Sequence, residues 1–275
     1  MSKNSKLVAS VNQKGGVGKS TMVIQSAYRA AENNKRVLIV DLDPQENSTK
    51  YWLHGSDLGC LPQEASSVNL FSADSSIKPM PVNPVQIGAK TYYEGQIDIL
   101  FADETALTML EQADDSEAVL VNALSNSQVI RELGYDYVFI DCPPAVCLKQ
   151  VAAVMVSDDV VTPMELDSFS AEGILKIYNI IEAARQQWDD ENKPKWHIIA
   201  NKVHAQSSAS SSLLSGVREQ LGDYMLQGFI TTSSVVNDAM MNRRPIFKLP
   251  PNGNAAAVGR KFANVLDELL QRVEA

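Results

Sequence analysis

The sequence predicts an α/β fold: a doubly wound, mostly parallel sheet with helices on both faces. Three observations predict it: a glycine-rich turn between a strand and a helix, apolar strands without inside–outside alternation, and helical stretches between those strands. Strands that are apolar on both sides are typical of parallel sheets covered by helices on both faces. Ligands of such sheets bind beyond the carboxyl ends of the strands, so we expect a functional site at that edge.

The glycine-rich turn is Asn-Gln-Lys-Gly-Gly-Val-Gly-Lys-Ser-Thr at residues 12–21, between an apolar strand at 7–11 and a helical stretch at 22–31. Glycines let backbone N–H groups close around an anion, and the helix N-terminus adds the positive end of its dipole. Lys19 would reach the β- and γ-phosphates, and the Ser20 hydroxyl would ligate Mg²⁺. The turn therefore predicts a fold of the phosphate-loop NTPase type that binds a nucleoside triphosphate. The expected nucleotide-binding residues in it are Gly15, Gly16, Val17, Gly18, Lys19, Ser20 and Thr21.

The remaining strands and helices alternate along the chain. Further strands are predicted at 36–43, 96–101, 135–141, 159–164, 196–201 and 225–230. Helical stretches are predicted at 104–113, 116–132, 170–188, 208–221 and 255–273. Residues 55–95 carry several prolines, serines and glycines with little periodicity, which indicates an irregular surface excursion rather than a separate domain. We expect residues 1–275 to form one domain.

Composition sets bounds that agree with this fold. The 275 residues are 45% hydrophobic and 21% charged, which is typical of a globular chain. The 3 cysteines (Cys60, Cys142 and Cys147) lack the spacing of a metal or disulfide framework, so a reducing cytoplasm fits. We find neither a signal-peptide region nor a long apolar run, so no membrane-crossing segment is expected. The net charge of -9 argues against a strong constitutive grip on nucleic acid, and any DNA binding must come from a local basic face.

Two of the predicted strands end in carboxylates. Asp41 and Asp43 close the strand at 36–43, and Asp141 closes the strand at 135–141. If the chain stays extended, Asp41 and Asp43 point to opposite sides, so that one faces the water shell of Mg²⁺ and the other faces the γ-phosphate. A single acid at such a position is often only a helix cap or a turn residue. Here the glycine-rich turn is followed along the chain by two strands that end in acids, and these three elements in this order favour a nucleotide site instead.

The phosphate loop departs from the usual pattern, because Gln13 stands where a glycine is expected and Lys14 precedes the glycine pair. Lys-Gly-Gly-Val-Gly-Lys-Ser resembles the deviant Walker A loop of the ParA/MinD family of ATPases. The resemblance implies that Lys14 reaches across a dimer interface to phosphates held by the other subunit, where a second cation would stabilise transition-state charge. It also implies that Asp43 orients the attacking water, that Asp41 helps to hold the metal site, and that Asp141 holds Mg²⁺ through water. The implied catalytic residues are Lys14, Lys19 and Asp43.

The resemblance covers nearly the whole chain and is closest to small ParA partition proteins. Residues 162–165 and 169–173 match the segment that leaves the fifth strand and enters a long helix. Asn201 falls where family members read adenine with a side-chain amide, which carries the donor and acceptor that this base needs. Residues 244–246 match the late loop that helps to enclose the nucleotide. Because only residues 1–6 precede the first strand, no N-terminal helix-turn-helix domain is expected.

The positions that carry DNA-contacting arginines in the family differ in this chain. By alignment they fall on Thr232 and Val235, and neither side chain can neutralise a phosphate. Other cations would have to supply the phosphate contacts, although clustered basic residues often form only a solvated face. The nearest candidates are Arg243, Arg244, Arg260 and Lys261, with Lys248 between them.

The resemblance implies a weak Mg²⁺-dependent ATPase that works as a nucleotide switch in DNA segregation. ATP would join two subunits into a sandwich dimer that binds DNA without sequence preference on the nucleoid. Hydrolysis, stimulated by a cargo- or centromere-binding protein, would release that dimer. The sequence leaves open whether the cargo is a plasmid, a chromosome or a protein assembly.

Two other classes of protein remain open on the same fold. A MinD-like ATPase at a membrane surface needs a C-terminal amphipathic helix with a basic face. Residues 267–274 are instead net acidic and would be repelled by anionic lipid, so we expect no membrane partner. A metabolic ligase or kinase-like enzyme would need a small-molecule acceptor site, and none is visible in the sequence.

Overall fold

The computed structural model describes residues 5–73, 76–87, 90–166, 170–186, 194–204, 207–248 and 253–275. Its strands are Lys6–Ser10 (β1), Val37–Asp41 (β2), Met80–Pro81 (β3), Val85–Ile87 (β4), Lys90–Tyr92 (β5), Ile97–Leu100 (β6), Tyr137–Asp141 (β7), Asp159–Glu165 (β8), Lys195–Val203 (β9) and Met225–Thr231 (β10). Its α-helices are Lys19–Glu32 (α1), Asn47–Trp52 (α2), Glu104–Leu110 (α3), Ser116–Glu132 (α4), Leu148–Val156 (α5), Ser170–Arg185 (α6), Ser208–Leu221 (α7), Ser234–Met241 (α8) and Gly253–Glu274 (α9).

Eight of these strands form one sheet in the order β10-β9-β8-β1-β7-β2-β6-β3. Neighbouring strands are parallel except for β3 and β6, which pair antiparallel at one edge of the sheet. Strand β1 lies between β7 and β8, although both follow it much later in the chain, and helical crossovers connect parallel neighbours of this kind. The mostly parallel α/β sheet predicted from the sequence is therefore confirmed.

The strands are apolar on both sides because helices cover both faces of the sheet. Successive residues of one strand join opposite hydrophobic clusters, so that Leu7 and Leu38 pack on one side while Val8 and Ile39 pack on the other. Helices α4, α5 and α6 contribute to the first cluster, and helices α1 and α9 contribute to the second. Burial of one such side chain contributes about 1.5–3 kcal/mol, which favours apolar residues at both kinds of position in β1 and β2.

Three helices lie outside the stretches predicted to be helical, namely α2, α5 and α8. All three are short, and α2 has only 6 residues, fewer than two turns. Helix α3 ends at Leu110 rather than at residue 113, and α6 ends at Arg185, whereas its predicted end at residue 188 lies outside the described residues. Phe169, which opens the matched segment before α6, also lies outside them. None of the helices that the structure describes has the length and apolarity to cross a bilayer.

The segment predicted as a surface excursion, residues 55–95, contributes to the core as well. It contains short 3-10 helices and the strands β3, β4 and β5, with β3 extending the main sheet at its edge. Phe71, Ile77 and Val85 from this segment are buried. The segment lacks long elements, but it covers the edge of the sheet rather than lying wholly on the surface.

Candidate nucleotide-binding site

Three parallel strands bring their carboxyl ends together at one edge of the sheet. The register pairs Asp141 of β7 with Ser10 of β1 on one side and with Asp41 of β2 on the other. A cleft of about 500 Å³ opens beyond these strand ends. Its lining residues are Gly15, Gly16, Gly18, Lys19, Ser20, Thr21, Ile24, Asp43, Gln45, Asn47, Tyr51, Pro144 and Met240. The glycine-rich loop and the acid at the end of the second strand thus border one cavity.

The glycine-rich loop turns on residues with left-handed backbone conformations. Gly16 has a φ of 75° and Gly18 a φ of 102°, values that residues with side chains rarely adopt. A Cβ on Gly18 would also stand 2.5 Å from Nδ2 of Asn201. That amide donates a hydrogen bond to the carbonyl oxygen of Val17 at 2.7 Å, so β9 supports the loop from behind. Helix α1 begins directly afterwards at Lys19, and the N–H groups of its first turn border the cleft.

Lys19 places its charge inside the cleft with little exposure to water. The residue is 7% exposed, and its Nζ donates to the carbonyl oxygen of Lys14 at 3.5 Å. Burial lowers the pKa of Lys19, while the nearby acids Asp141 and Asp43 oppose that shift. A bound triphosphate would add negative charge that favours the protonated ammonium further.

Lys14 lies on the outer side of the same loop. Its Nζ is 3.1 Å from Oε2 of Glu165, and its side chain is 44% exposed. The other oxygen of Glu165 is 2.6 Å from Nζ of Lys202, which also donates to the carbonyl oxygen of Gly16 at 2.7 Å. Burial favours a raised pKa for Glu165, but the hydrogen bonds from Lys202 and Lys14 outweigh it and lower that pKa. In the single subunit Lys14 is therefore held within its own chain, by a carboxylate for which the sequence suggested no role.

The two acids at the end of β2 have different surroundings. Asp41 is fully buried, and its Oδ2 accepts hydrogen bonds from both N and Oγ1 of Thr49 at 2.8 Å. Burial, and after it the charge of Asp141, raises the pKa of Asp41 well above its ordinary value. Asp43 donates its backbone N–H to Oδ1 of Asp41 at 3.1 Å, and its own carboxylate borders the cleft. These hydrogen bonds let Asp41 position the backbone of Asp43, and its part in holding the metal site stays a prediction.

Asp141 offers a buried oxygen beside Ser20, a residue that lines the cleft. Its Oδ2 accepts a hydrogen bond from Oγ of Ser48 at 2.7 Å, and Ser20 also bonds to this carboxylate. Burial raises the pKa of Asp141 to about 6, against the effect of these two hydrogen bonds. Oδ1 is buried and has no hydrogen-bond partner among the residues that the structure describes. An unsatisfied buried carboxylate oxygen beside a serine hydroxyl fits a Mg²⁺ ion that keeps part of its water shell.

The described residues contain no group of three or more His, Cys, Asp or Glu side chains that could hold a metal. That absence is compatible with Mg²⁺ in a nucleotide site, where one or two protein oxygens and the substrate phosphates share the coordination. Ser20, Asp41 and Asp141 stay the predicted residues for the metal, and the polar groups around Ser20 and Asp141 fit that ion.

Asn201 is engaged by the protein on both sides of its amide. Its Oδ1 accepts from the backbone N–H of Lys202 at 2.9 Å, in addition to the contact of Nδ2 with Val17. The residue is 7% exposed and is not among the residues that line the cleft. Its contact with adenine stays a prediction, whereas its support of the glycine-rich loop is a contact that the sequence did not indicate.

Gln25 links the late loop to α1 close to the cleft. It is fully buried, its Nε2 donates to the carbonyl oxygen of Arg244 at 3.3 Å, and its Oε1 accepts from the backbone N–H of Ile246 at 2.9 Å. Met240, which precedes this loop, borders the cleft itself. Residues 244–246 thus pack on α1 through Gln25, for which the sequence suggested no role, and their part in enclosing the nucleotide stays a prediction.

Arg243 and Arg244 do not present two equivalent charges to solvent. Arg243 has a φ of 48°, and its Nε is buried without a hydrogen-bond partner in the described part of the chain. Burial raises the pKa of Tyr28 and of Tyr51, and the charge of Arg243 opposes that rise. Tyr51 lines the cleft. Arg244 is exposed. Of this pair, Arg244 is therefore the better placed for an external phosphate.

Arg260 and Lys261 lie together on the exposed side of α9. Arg260 lines a second cleft, of about 320 Å³, with Arg29 of α1 and with Lys248. Arg29 is paired with Asp267 at 2.6 Å, so part of the positive charge of this cleft is already neutralised. The structure thus groups Arg260 with two cations, and Arg29 is one that the sequence did not single out.

Comparisons with known proteins agree with this fold. A protein-family model described as an AAA domain matches residues 5–194. The chromosome partitioning protein ParA of Caulobacter vibrioides is 26% identical over 252 residues, which are 88% of this chain and 86% of that relative. The ATP complex of McdA from Cyanothece has a TM-score of 0.78 at 16% identity and covers 97% of both chains. Cobyrinic acid a,c-diamide synthase of Mycobacterium smegmatis, with bound ADP and magnesium, has a TM-score of 0.69 at 22% identity, covering 97% of this chain and 96% of that chain.

The sheet order and the glycine-rich loop at the carboxyl end of β1 define a phosphate-loop NTPase. The chain belongs to the AAA-domain family, and within it to the ParA/MinD group of NTPases. The resemblance inferred from the phosphate loop is therefore confirmed.

Proposed function

We propose that this protein is a weak Mg²⁺-dependent ATPase that acts as a nucleotide switch in DNA segregation. ATP joins two subunits face to face, the pair binds DNA without sequence preference, and hydrolysis releases the pair from DNA. One observation carries this proposal: the loop holds Lys19 inside the cleft and Lys14 outside it, with 44% of the Lys14 side chain exposed. Binding phosphate needs only the first lysine, so the second is suited to a contact with another subunit.

The charged and hydroxyl side chains at and around the cleft each have a part in the proposed reaction. Lys19 and the first N–H groups of α1 bind the phosphates, and the partner subunit's Lys14 completes the charge around them. Ser20 and Asp141 hold Mg²⁺, which neutralises the charge of the β- and γ-phosphates when it is bound. Asp43 orients the attacking water, and Asp41 holds the backbone that carries Asp43.

DNA binding in this proposal depends on assembly, because the chain is acidic overall. A single subunit has a net charge of -9, whereas Arg244, Arg260 and Lys261 are exposed on its surface. Pairing of two subunits doubles these cations on one particle, and each phosphate that they neutralise releases counterions. A protein bound to the cargo would then stimulate hydrolysis and free the subunits to bind elsewhere on the nucleoid.

The contacts of α9 argue against the membrane-surface alternative. The apolar residues of its last turns, Leu266, Leu269, Leu270 and Val273, are buried in the cluster on the α1 side of the sheet. An amphipathic helix binds lipid through an apolar face that is free to insert. Since this face packs on the protein itself, α9 offers no apolar surface for a bilayer.

Co-sedimentation tests the proposal against the alternatives. The protein is spun with random duplex DNA or with anionic liposomes, each with MgATP, with MgADP and without nucleotide. We expect it to pellet with DNA only when MgATP is present, and to remain in the supernatant with liposomes. If it instead pellets with liposomes, or with neither target, the segregation proposal fails.

Substitution of Lys14 and substitution of Asp43 should have different effects on ATP turnover and on pairing. We expect Lys14→Ala to bind ATP but to pair weakly and hydrolyse slowly, because the cation that crosses to the other subunit is gone. Asp43→Ala should pair with ATP and stay paired, because the water is no longer oriented. Light scattering with MgATP, followed by turnover measurements, decides between them. A monomeric Asp43→Ala protein with reduced turnover would contradict the role given to that residue.

A further inference from the structure

Glu165 joins two lysines at the mouth of the nucleotide cleft. It is the last residue of β8, and its neighbour in register on β9 is Asn201, the residue before Lys202. One carboxylate oxygen lies 3.1 Å from Nζ of Lys14 and the other lies 2.6 Å from Nζ of Lys202. Each oxygen therefore has a different lysine, and one of these lysines belongs to the glycine-rich loop.

Lys202 fixes this bridge to the loop at a second point. Its Nζ donates to the carbonyl oxygen of Gly16 at 2.7 Å. Its backbone has a φ of 53°, a left-handed conformation that is uncommon for a residue with a side chain. The backbone N–H of Lys202 is held in that conformation by Oδ1 of Asn201 at 2.9 Å. The end of β9 is thus shaped so that Lys202 turns back to the loop and stands beside Glu165.

The contact with Glu165 bears on the proposed role of Lys14, which is to reach the phosphates held by the other subunit. The Lys14 ammonium lies 3.1 Å from a carboxylate of its own chain, and this contact competes with any approach of the ammonium to a phosphate across an interface. The Lys14 side chain is 44% exposed and that of Glu165 is 23% exposed, so solvent screens their attraction and the contact can be exchanged.

We propose that Glu165 is a positioning residue that retains Lys14 on its own subunit until two nucleotide-loaded subunits meet. Pairing then exchanges the Lys14–Glu165 contact for a contact between Lys14 and the phosphates of the other subunit. Lys202 holds the Glu165 carboxylate next to the loop, and it still neutralises that carboxylate after Lys14 has moved away. This inference rests on the proposed function, since it presupposes ATP-dependent pairing through Lys14.

The expected effect has a definite sign. Retention stabilises the separate subunits, so its removal favours the pair, whereas damage to the fold of a subunit would disfavour the pair. One exposed ion pair shifts an equilibrium by up to about fivefold. Because a pair of subunits breaks two such contacts, the removal of both favours pairing by roughly three- to tenfold.

The test compares Glu165→Gln with the parent protein and with Glu64→Gln. Glu64 is paired with Lys78 at 3.9 Å outside the cleft, so its substitution makes the same change of charge without touching Lys14. The ATP concentration at half-maximal pairing is measured by light scattering in MgATP. Because one pair takes up two nucleotides, this concentration changes as the square root of the pairing equilibrium, so we expect it to fall about two- to threefold for Glu165→Gln and to remain at the parent value for Glu64→Gln.

Two further measurements separate retention of Lys14 from a general structural effect. Glu165→Ala should shift pairing in the same direction as Glu165→Gln, and both should keep the thermal unfolding midpoint of the parent within a few degrees. The difference between parent and Glu165→Gln should shrink when salt rises from about 0.05 M to about 0.5 M, because salt screens exposed charges.

The outcomes distinguish this inference from the function on which it rests. An unchanged or raised ATP concentration at half-maximal pairing in Glu165→Gln overturns the retention role while the proposed switch stands. A shift of equal size in Glu64→Gln overturns it too, because net charge alone would then explain the effect. If the parent protein does not pair with MgATP at all, the proposed switch itself fails and the retention role fails with it.

Discussion

Lys19 keeps an ammonium in a place from which most water has been removed. Only 7% of the residue is exposed, and burial lowers its pKa although acids stand nearby. Removing a charged group from water is unfavourable unless partners replace that water, and in this cleft a bound phosphate is the best such partner. Lys19 therefore contributes more to nucleotide binding than to the stability of the nucleotide-free protein.

Replacement of Lys19 by alanine should remove ATP binding without unfolding the protein. We expect the affinity for MgATP to fall by about a hundredfold or more, since a buried charge-assisted contact to phosphate is lost. Calorimetric titration measures the affinity, and Lys14→Ala is the matched control because it removes a lysine of the same loop outside the cleft. Parent-like ATP affinity in Lys19→Ala would contradict the assignment of the loop.

Asp141 should make nucleotide binding sensitive to mildly acidic pH. Its pKa in the folded protein is raised to about 6, above the value of about 3.9 for an exposed aspartate. The folded state therefore binds a proton more readily than the unfolded state, and this residue's contribution to stability falls as pH rises from about 4 to about 6. The ionised form, which the metal needs, is lost as pH falls through about 6.

We therefore expect the affinity for MgATP to decrease by up to about tenfold per pH unit below pH 6, beyond the decrease caused by protonation of the nucleotide itself. Calorimetric titrations between pH 5 and 7.5 measure it. Asp141→Asn, titrated over the same range, reports the nucleotide's own contribution, and identical pH profiles for the two proteins would refute the role of Asp141.

At the scale of elements, β2 and α2 form one unit through the carboxylate of Asp41. Thr49 of α2 donates both its backbone N–H and its hydroxyl to that carboxylate at 2.8 Å. The same hydroxyl accepts from the backbone N–H of Ala102, which follows β6, at 2.9 Å. Thr49 thus connects three segments of the chain directly behind Asp43.

Thr49→Val should loosen this connection while preserving the shape of the side chain. Two buried hydrogen bonds lose a partner, so the free energy of unfolding should fall by about 2–4 kcal/mol. Urea unfolding without nucleotide measures the change. Thr49→Ser keeps the hydroxyl and should cost about 1 kcal/mol for the missing methyl group, so equal losses in the two variants would rule out the hydrogen bonds as the cause.

The longest and most regular elements could be predicted from the sequence, because their signals are local. Periodicity alone identified α4 and α7, and an unbroken apolar run identified β7. The short helix α2 could not be predicted, since its 6 residues are held by the contact of Thr49 with Asp41 rather than by an apolar stripe. The glycine-rich loop is itself a local pattern. The supports of that loop, Asn201 and Glu165, depend on pairing between β8 and β9, which a sequence read along the chain does not reveal.

At the scale of the whole molecule, a net charge of -9 coexists with exposed cations on α9. Long-range repulsion keeps an acidic subunit away from DNA, whereas short-range contacts of Arg260 and Lys261 attract phosphate. A pair of subunits multiplies the short-range contacts, because both copies then meet the same duplex. If the short-range contacts outweigh the doubled negative charge of the proposed pair, we expect DNA binding that depends on pairing.

Arg260→Ala combined with Lys261→Ala should weaken DNA binding equally for all sequences. Up to four phosphate contacts are lost in a pair of subunits, so the log–log dependence of affinity on salt should flatten by up to about 3.6. Titration of random duplex at several salt concentrations with MgATP measures both quantities. Lys78→Ala combined with Lys195→Ala makes the same change of charge elsewhere on the surface. If both double variants bind with the parent's affinity and slope, α9 does not contact DNA.

Trp52, which packs against two tyrosines near the cleft, gives the protein a fluorescent reporter of its own. Trp52 is buried next to Tyr51, which lines the cleft, and its ring lies 4.7 Å from that of Tyr28. Trp196 lies near the amino end of β9, whereas the cleft lies beyond the carboxyl ends of the strands. Trp188, the third tryptophan of the chain, lies outside the described residues. A protein with phenylalanine at these two positions would keep a single indole, that of Trp52, in contact with the cleft residue Tyr51. We expect the emission of that indole to change when a nucleotide enters the cleft, which would make binding visible without any attached dye.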